Sequence, residues 1–178
     1  IETYSLLDVG TIVEKAKRAE ANGAERFCIV TSGRTLDDAE FEQVVNAYCL
    51  IRDETGLSLD GSLGFLSGER MRRLKKAGVT RINHNLETSR SFFSHICTTH
   101  TFDDRLETLK RLKEEGFEVC SGGILGVGES PCDRIEMAFT LKELNVDCIP
   151  LNMLNPRPGT PCAHNKPLER QDIINTVA

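Results

Sequence analysis

Apolar positions along the chain follow a helical spacing in six stretches, with short apolar runs between them. Ile12, Val13, Ala16 and Ala19 share one face of a helix expected from Asp8 to Asn22, and Asn22-Gly23 supplies its stop. Phe41, Val44, Val45, Tyr48 and Ile51 predict a second helix over Asp37–Thr55, ending at Gly56. Ser67 is suited to cap a third, which carries Met71, Leu74 and Ala77 and ends at Gly78. A fourth starts near Thr101, with Asp103 and Asp104 favoured by its N-terminal dipole, Leu106, Leu109 and Leu112 as its stripe, and Gly116 after it. Ser130-Pro131-Cys132-Asp133 reads as an N-cap, a proline at the first helical position and an acidic capping partner. That helix is expected to bury Ile135, Ala138, Phe139, Leu141 and Leu144, and a last helix begins near Leu168. The charged face Arg70, Arg72, Arg73, Lys75 and Lys76 is expected to be solvated.

The runs between helices predict strands at Arg26–Thr31, Leu57–Gly61, Val79–Asn85, Phe117–Gly122 and Val146–Asn152. Strands separated by helices are the βαβ signature of a parallel sheet. With no internal repeat, low-complexity tract or linker, residues 1–178 read as one domain.

The strands are not apolar on both sides, as a doubly covered parallel sheet would require. Alternation sets Arg26 and Cys28 against Phe27 and Ile29. It sets Ser58 and Asp60 against Leu57 and Leu59, and Glu118 and Cys120 against Phe117 and Val119. The clearest row is Arg81, Asn83, Asn85 and Glu87 against Ile82, His84 and Leu86. Burying each such polar group dry and unpaired would cost about 1–3 kcal/mol. A wet or ligand-filled interior resolves this, so the expected fold is an α/β, partial (β/α) TIM-type barrel. Polar and glycine residues collect at the strand ends, where barrel active sites lie. His84, on the apolar side, reads as a structural histidine. Gly122–Glu129 is glycine-rich after a strand but does not match the dinucleotide-binding fingerprint, and points only to a close backbone approach.

Composition narrows the function classes. With 39% hydrophobic and 28% charged residues and a net charge of −5, the chain is ordinary for a globular protein. The absence of a basic stripe and an aromatic content of 6% leave no platform for nucleic acid, and no apolar run is long enough for a membrane span. Seven widely spaced cysteines without a CxxC pair exclude a disulfide framework and a zinc ribbon. A cytoplasmic setting is expected, and open sheet edges leave a homodimer among the expected assemblies.

Five segments together resemble biotin synthase, a radical S-adenosylmethionine enzyme. They are Phe27–Arg34, Ile82–Ser89, Ile96–Arg105, Val119–Gly126 and Pro150–Pro161, and the likeness runs from about Tyr4 to Pro161. The resemblance implies a TIM-type barrel in which a [4Fe-4S] cluster and S-adenosylmethionine yield a 5′-deoxyadenosyl radical. That radical abstracts hydrogen from dethiobiotin, and a [2Fe-2S] auxiliary cluster supplies sulfur. It implies that Glu87 binds the cofactor's ribose and Arg105 its carboxylate, that Asn85 lies between cofactor and substrate, and that Thr31 and Ile124 line the cofactor pocket. It further implies that Asn83 and Asn152 hold the ureido ring and that Cys28 and Cys120 are cluster ligands. The residue types suit these partners: a guanidinium matches a carboxylate, and amides match a neutral urea.

The sequence departs from the family in three places, one being that the arginine expected to complete the auxiliary cluster would lie beyond Ala178. The CxxxCxxC loop that ligates the [4Fe-4S] cluster is absent, and the family layout puts it upstream of Ile1, so the chain reads as an internal part of the barrel. Asp60 stands at the third auxiliary-cluster cysteine, and a carboxylate is a poorer partner for iron–sulfur chemistry than a thiolate. Two alternatives therefore stand beside sulfur insertion. One is a paralogue that uses the radical for rearrangement or another hydrogen abstraction, and the other is a non-catalytic binding protein on the same barrel.

Overall fold

The computed structural model describes residues 5–177. The start of the resemblance at Tyr4 lies outside them. In chain order the described residues form α1 (Val9–Ala21), β1 (Arg26–Val30), α2 (Asp38–Glu54), β2 (Ser58–Ser62), α3 (Gly68–Lys76), β3 (Val79–Asn83), α4 (Arg90–Ile96) and α5 (Phe102–Glu114). β4 (Glu118–Cys120), β5 (Gly123–Leu125), α6 (Pro131–Glu143), β6 (Leu151–Met153) and α7 (Arg170–Val177) follow. They fall into two compact units, residues 5–83 with 111–119, and residues 84–110 with 120–177.

In the first unit the sequence signals for helix ends become bonds. The Asp8 carboxylate accepts from Thr11 N–H, Asp37 and Glu40 close a capping box, and Ser67 Oγ accepts from Arg70 N–H. Caps of this kind stabilise a helix by about 1 kcal/mol each. Gly23 and Gly78 follow their helices at φ 87° and 100°, left-handed conformations that suit glycine. α1 buries Ile12, Val13 and Ala16, and α2 buries Phe41, Val44, Ala47, Tyr48 and Ile51. α3 buries Met71 and Leu74. β1, β2 and β3 pair in parallel within a sheet ordered β1-β2-β3-β4. The register sets Cys28 opposite Asp60, and Asp60 opposite Arg81.

One expectation for this unit needs correction. The charged face of α3 is not simply solvated: Arg70 and Arg73 lie over the Phe41 ring at 4.6 and 5.2 Å and pair with Asp38 and Glu42 of α2. A guanidinium can cover an aromatic face and still reach a carboxylate, which a hydrophobicity pattern does not register.

The later predicted strands are shorter and more broken than expected. The regular part of Val79–Asn85 ends at Asn83, and the chain beyond it is held by a parallel bridge between Glu87 and Gly123. Phe117–Gly122 becomes β4, and β5 starts only after Ser121-Gly122. Val146–Asn152 contributes a bridge from Cys148 to Cys120, then β6, which pairs in parallel with β5. α4 was not expected from the sequence. It has seven residues and one fully buried side chain, Phe93, too little for a helical period to show.

α6 starts as predicted, with Ser130 and Asp133 forming a capping box around Pro131. The Ser130 hydroxyl, then Ser89, hold the Asp133 carboxyl down at about 2. Of the side chains expected on its buried face, Leu141 is buried and Leu144 half-buried, but the other three are not. Ile135 and Phe139 are 57% and 60% exposed and Ala138 is exposed, while Met137 and Leu141 point inward. The reason is polar: Ser89 donates to Asp133, and Ser91 bonds Glu136, so the face carrying 133, 136 and 137 is turned toward α4. No helix of the described residues is long and apolar enough to cross a membrane.

Tyr48 anchors α2 to β2 by donating to the Asp60 carbonyl at 2.6 Å, and burial pushes its phenol well above 10. Tyr48→Phe leaves that buried carbonyl without its partner, so it should lower stability by about 1–2 kcal/mol. The change should appear as a lower urea midpoint with an unchanged m value.

Candidate active site

In the second unit the site begins with a close backbone approach. Glu87 N–H donates to the Gly122 carbonyl at 3.0 Å, and the Glu87 carbonyl accepts from Ile124 N–H at 2.9 Å. A Cβ on Gly123 would come within 2.5 Å of that carbonyl and 2.6 Å of Met137 Sδ, and one on Gly122 would run into the Pro150 carbonyl. Only glycine fits at either place. Glu87 itself has φ 71°, a left-handed backbone that is uncommon outside glycine.

Arg105, in the first turn of α5, reaches this segment. Its Nη1 donates to the Asn85 carbonyl at 2.6 Å and lies 3.7 Å from Glu87 Oε1, and its Nε donates to His100 Nε2 at 2.9 Å. The Nη2 end of the fork carries no bond among the described residues. Asn85 Oδ1 accepts from Gly122 N–H at 3.1 Å. Burial raises the Glu87 carboxyl above its ordinary 4.5, against the pull of Arg105 and of the Asn85 side chain. The cluster thus offers a partly open guanidinium beside a half-buried carboxylate, a pair able to meet an anion and a hydroxyl-rich group.

The first unit holds a second polar cluster. Asp60 is buried and takes both nitrogens of the Arg26 fork, with Nη2 to Oδ1 at 2.7 Å and Nε to each oxygen at 3.1 Å. Asn83 Nδ2 donates to Cys28 Sγ at 3.3 Å. Burial, then the Asp60 charge, pushes the Cys28 thiol up, and the Asn83 amide pulls it down. Thr31 is half-buried just past β1, its N–H on the Ser62 carbonyl.

The predicted site residues therefore sort into groups. Asn85, Glu87 and Arg105 come together, with Ile124 joined to Glu87 through its backbone. Cys28 and Asn83 come together beside Asp60. Asn152 is exposed on β6, opposite Ile124 in register, and Cys120 is buried, its backbone in a parallel β-bridge with that of Cys148 and both thiols free of a disulfide. The half-buried row Arg81, Asn83, Asn85 and Glu87 alternates with buried Ile82, His84 and Leu86 as the pattern predicts. Sequence reasoning missed His100 and Arg26, which orient Arg105 and Asp60. Their only signal was their place: His100 stands just before α5, and Arg26 opens β1. Among the described residues no group of three or more His, Cys, Asp or Glu is arranged to hold a metal ion.

Comparison with known proteins places these clusters in a family. The family described as the Radical SAM superfamily matches residues 1–141. The chain is 50% identical over 175 residues to the biotin synthase of Pelotomaculum thermopropionicum, covering 98% of this chain and 54% of that protein. It is 47% identical over 178 residues to that of Acetivibrio thermocellus, covering 100% and 56%. The chain thus spans about half the length of these curated relatives. The crystal structure of methylornithine synthase matches with a TM-score of 0.85 at 21% identity, covering 99% of this chain and 53% of that one. A maturase of the [FeFe]-hydrogenase matches at 0.83 and 17%, covering 99% and 42%. Those likenesses carry the fold alone and bear out a partial (β/α) TIM-type barrel. With the family match over most of its length and the geometry around Glu87 and Arg105, the chain belongs to the radical SAM superfamily.

Proposed function

We propose that this chain forms the cofactor- and substrate-binding part of a biotin synthase, an enzyme that inserts sulfur into dethiobiotin. The observation that carries the reading is Arg105, held on the Asn85 carbonyl and His100 with its Nη2 end open beside Glu87. In this reading Arg105 takes the carboxylate of S-adenosylmethionine and Glu87 accepts from the ribose hydroxyls. Ile124, tied by its backbone to Glu87, lies along the cofactor, and Asn85 keeps Gly122 close. Asn152, exposed on β6, offers an amide to the ureido ring. A [4Fe-4S] cluster, whose CxxxCxxC ligands are not in this sequence, would supply the electron that starts hydrogen abstraction.

The residues in the first unit fit an auxiliary [2Fe-2S] cluster poorly. Asp60 occupies the family's third cysteine position, is already paired with Arg26, and opposes ionisation of Cys28. A ligating sulfur must be a thiolate, so the neighbouring carboxylate works against it. This favours a second reading, a biotin-synthase-like enzyme that abstracts hydrogen without inserting sulfur.

The two readings part in one experiment. The protein expressed from its full-length gene is reconstituted anaerobically and given dethiobiotin and S-adenosylmethionine. Sulfur insertion requires biotin and two clusters per chain by iron and sulfide analysis. Release of 5′-deoxyadenosine with one cluster and no biotin selects the second reading, and release of neither overturns both.

The cofactor roles are tested by calorimetry on the same protein. Arg105→Met removes charge-assisted bonds worth about 1.5–3 kcal/mol, so affinity for S-adenosylmethionine should fall roughly 10- to 150-fold. Glu87 accepts from hydroxyls best as the carboxylate, and its folded titration is raised. Affinity should therefore rise with pH through a range above 4.5, and Glu87→Gln should make that rise smaller. A wild-type affinity that does not change over this range would exclude Glu87 as the ribose ligand.

A further inference from the structure

His100 lies in the turn between α4 and α5. Its Nε2 receives Arg105 Nε–H at 2.9 Å, its Nδ1 lies 3.0 Å from Thr99 Oγ1, and Cys97 Sγ lies 3.5 Å from Nδ1 and 3.7 Å from Nε2. The Phe93 ring meets it edge-on, with centroids 5.7 Å apart. A guanidinium only donates, so Nε2 must carry a lone pair. That fixes the tautomer: the proton sits on Nδ1, facing Thr99 Oγ1.

We propose that His100 is a positioning residue that aims Arg105 only while its imidazole is neutral, so that protonation of His100 weakens capture of the cofactor carboxylate. Protonated Nε2 becomes a donor and places a second positive charge against Arg105 at a bonded distance. The guanidinium then keeps only its Nη1 contacts to the Asn85 carbonyl and Glu87, and its fork is free to turn. From α5 the imidazole faces Arg105, and from the end of α4 it faces Cys97. Glu87 lies beyond the guanidinium, and Asp104 is engaged with Thr101 at the start of α5. Glu87 also titrates on acidification, so a pH profile of the wild type alone does not separate the two groups. Their variants do, because Gln at position 100 keeps an acceptor oxygen but cannot be protonated.

The inference rests on Arg105 as the carboxylate ligand, and two measurements keep the two ideas apart. The first is nitrogen NMR of the histidine-labelled chain near pH 7.5, with the His100 resonance assigned among four histidines by its loss in His100→Gln. The Nδ1–H tautomer is expected, and the Nε2–H tautomer would overturn the proposal whether or not any cofactor binds. The second is S-adenosylmethionine affinity of the full-length reconstituted protein between pH 7.5 and 5.5. The wild type should lose severalfold more than His100→Gln, because only the imidazole can take up a proton against the guanidinium. Equal losses in both proteins would also overturn it. No binding by either protein at pH 7.5, with the Nδ1–H tautomer present, would instead sink the cofactor reading and leave the His100–Arg105 geometry standing.

Discussion

The site depends on how closely the backbone of Glu87 lies against Gly122 and Gly123. Hydrogen bonds from Glu87 N–H to Gly122 and from Ile124 N–H to Glu87 hold the two segments together, and neither glycine has room for a Cβ. The approach places Glu87 in a left-handed conformation, which costs a non-glycine residue roughly 1–2 kcal/mol. Those bonds and the Asn85 amide on Gly122 offset that strain. In return, the turn leaves the Glu87 carboxylate 3.7 Å from Arg105, and the same segment lends the Asn85 carbonyl to its Nη1.

What Arg105 does with that framework follows from its shape. A lysine could satisfy one acceptor as a point charge, but only a rigid planar fork can bind Asn85 and His100 and still present a further edge. Glu87 is near enough to attract the guanidinium and far enough not to occupy it. Burial raises the carboxyl, so its charge is not fully matched inside the chain. A ligand carrying both a carboxylate and vicinal hydroxyls would satisfy each partner with the group it lacks.

Much of this was legible in the sequence because it is local. Capping residues predicted helix starts at Ser67 and Ser130, since a cap is a bond over three residues. The alternation from Arg81 to Glu87 predicted the half-buried polar row, since a pleat has a period of two. The parts that were missed depend on partners distant in sequence. Ile135 and Phe139 fit an apolar stripe, but Ser89, which caps α4, and Ser91 within it turn α6 away from that stripe. α4 is too short to display a period. Cys28 and Asp60 are 32 positions apart, and only the parallel register of β1 and β2 sets them side by side.

That register decides how Asp60 should be weighed. Read along the sequence, an aspartate in place of a cysteine is one missing ligand. In the folded chain it is also a buried charge directly opposite Cys28, bound through two oxygens to Arg26 and anchored through its carbonyl to Tyr48. A carboxylate held this way cannot swing aside without taking from the half-buried Arg26 its closest partner, leaving it only Thr80 and the more distant Glu118 carboxylate. Its effect on Cys28 is therefore permanent: it favours the thiol over the thiolate, and the Asn83 amide only partly counters it. The guanidinium-and-carboxylate cluster around Arg105 involves neither group, since its members lie in the other unit. The Arg105–Glu87–Asn85 cluster and the Cys28–Asp60–Arg26 cluster are thus separate sets of residues, and Asp60 acts only within the second.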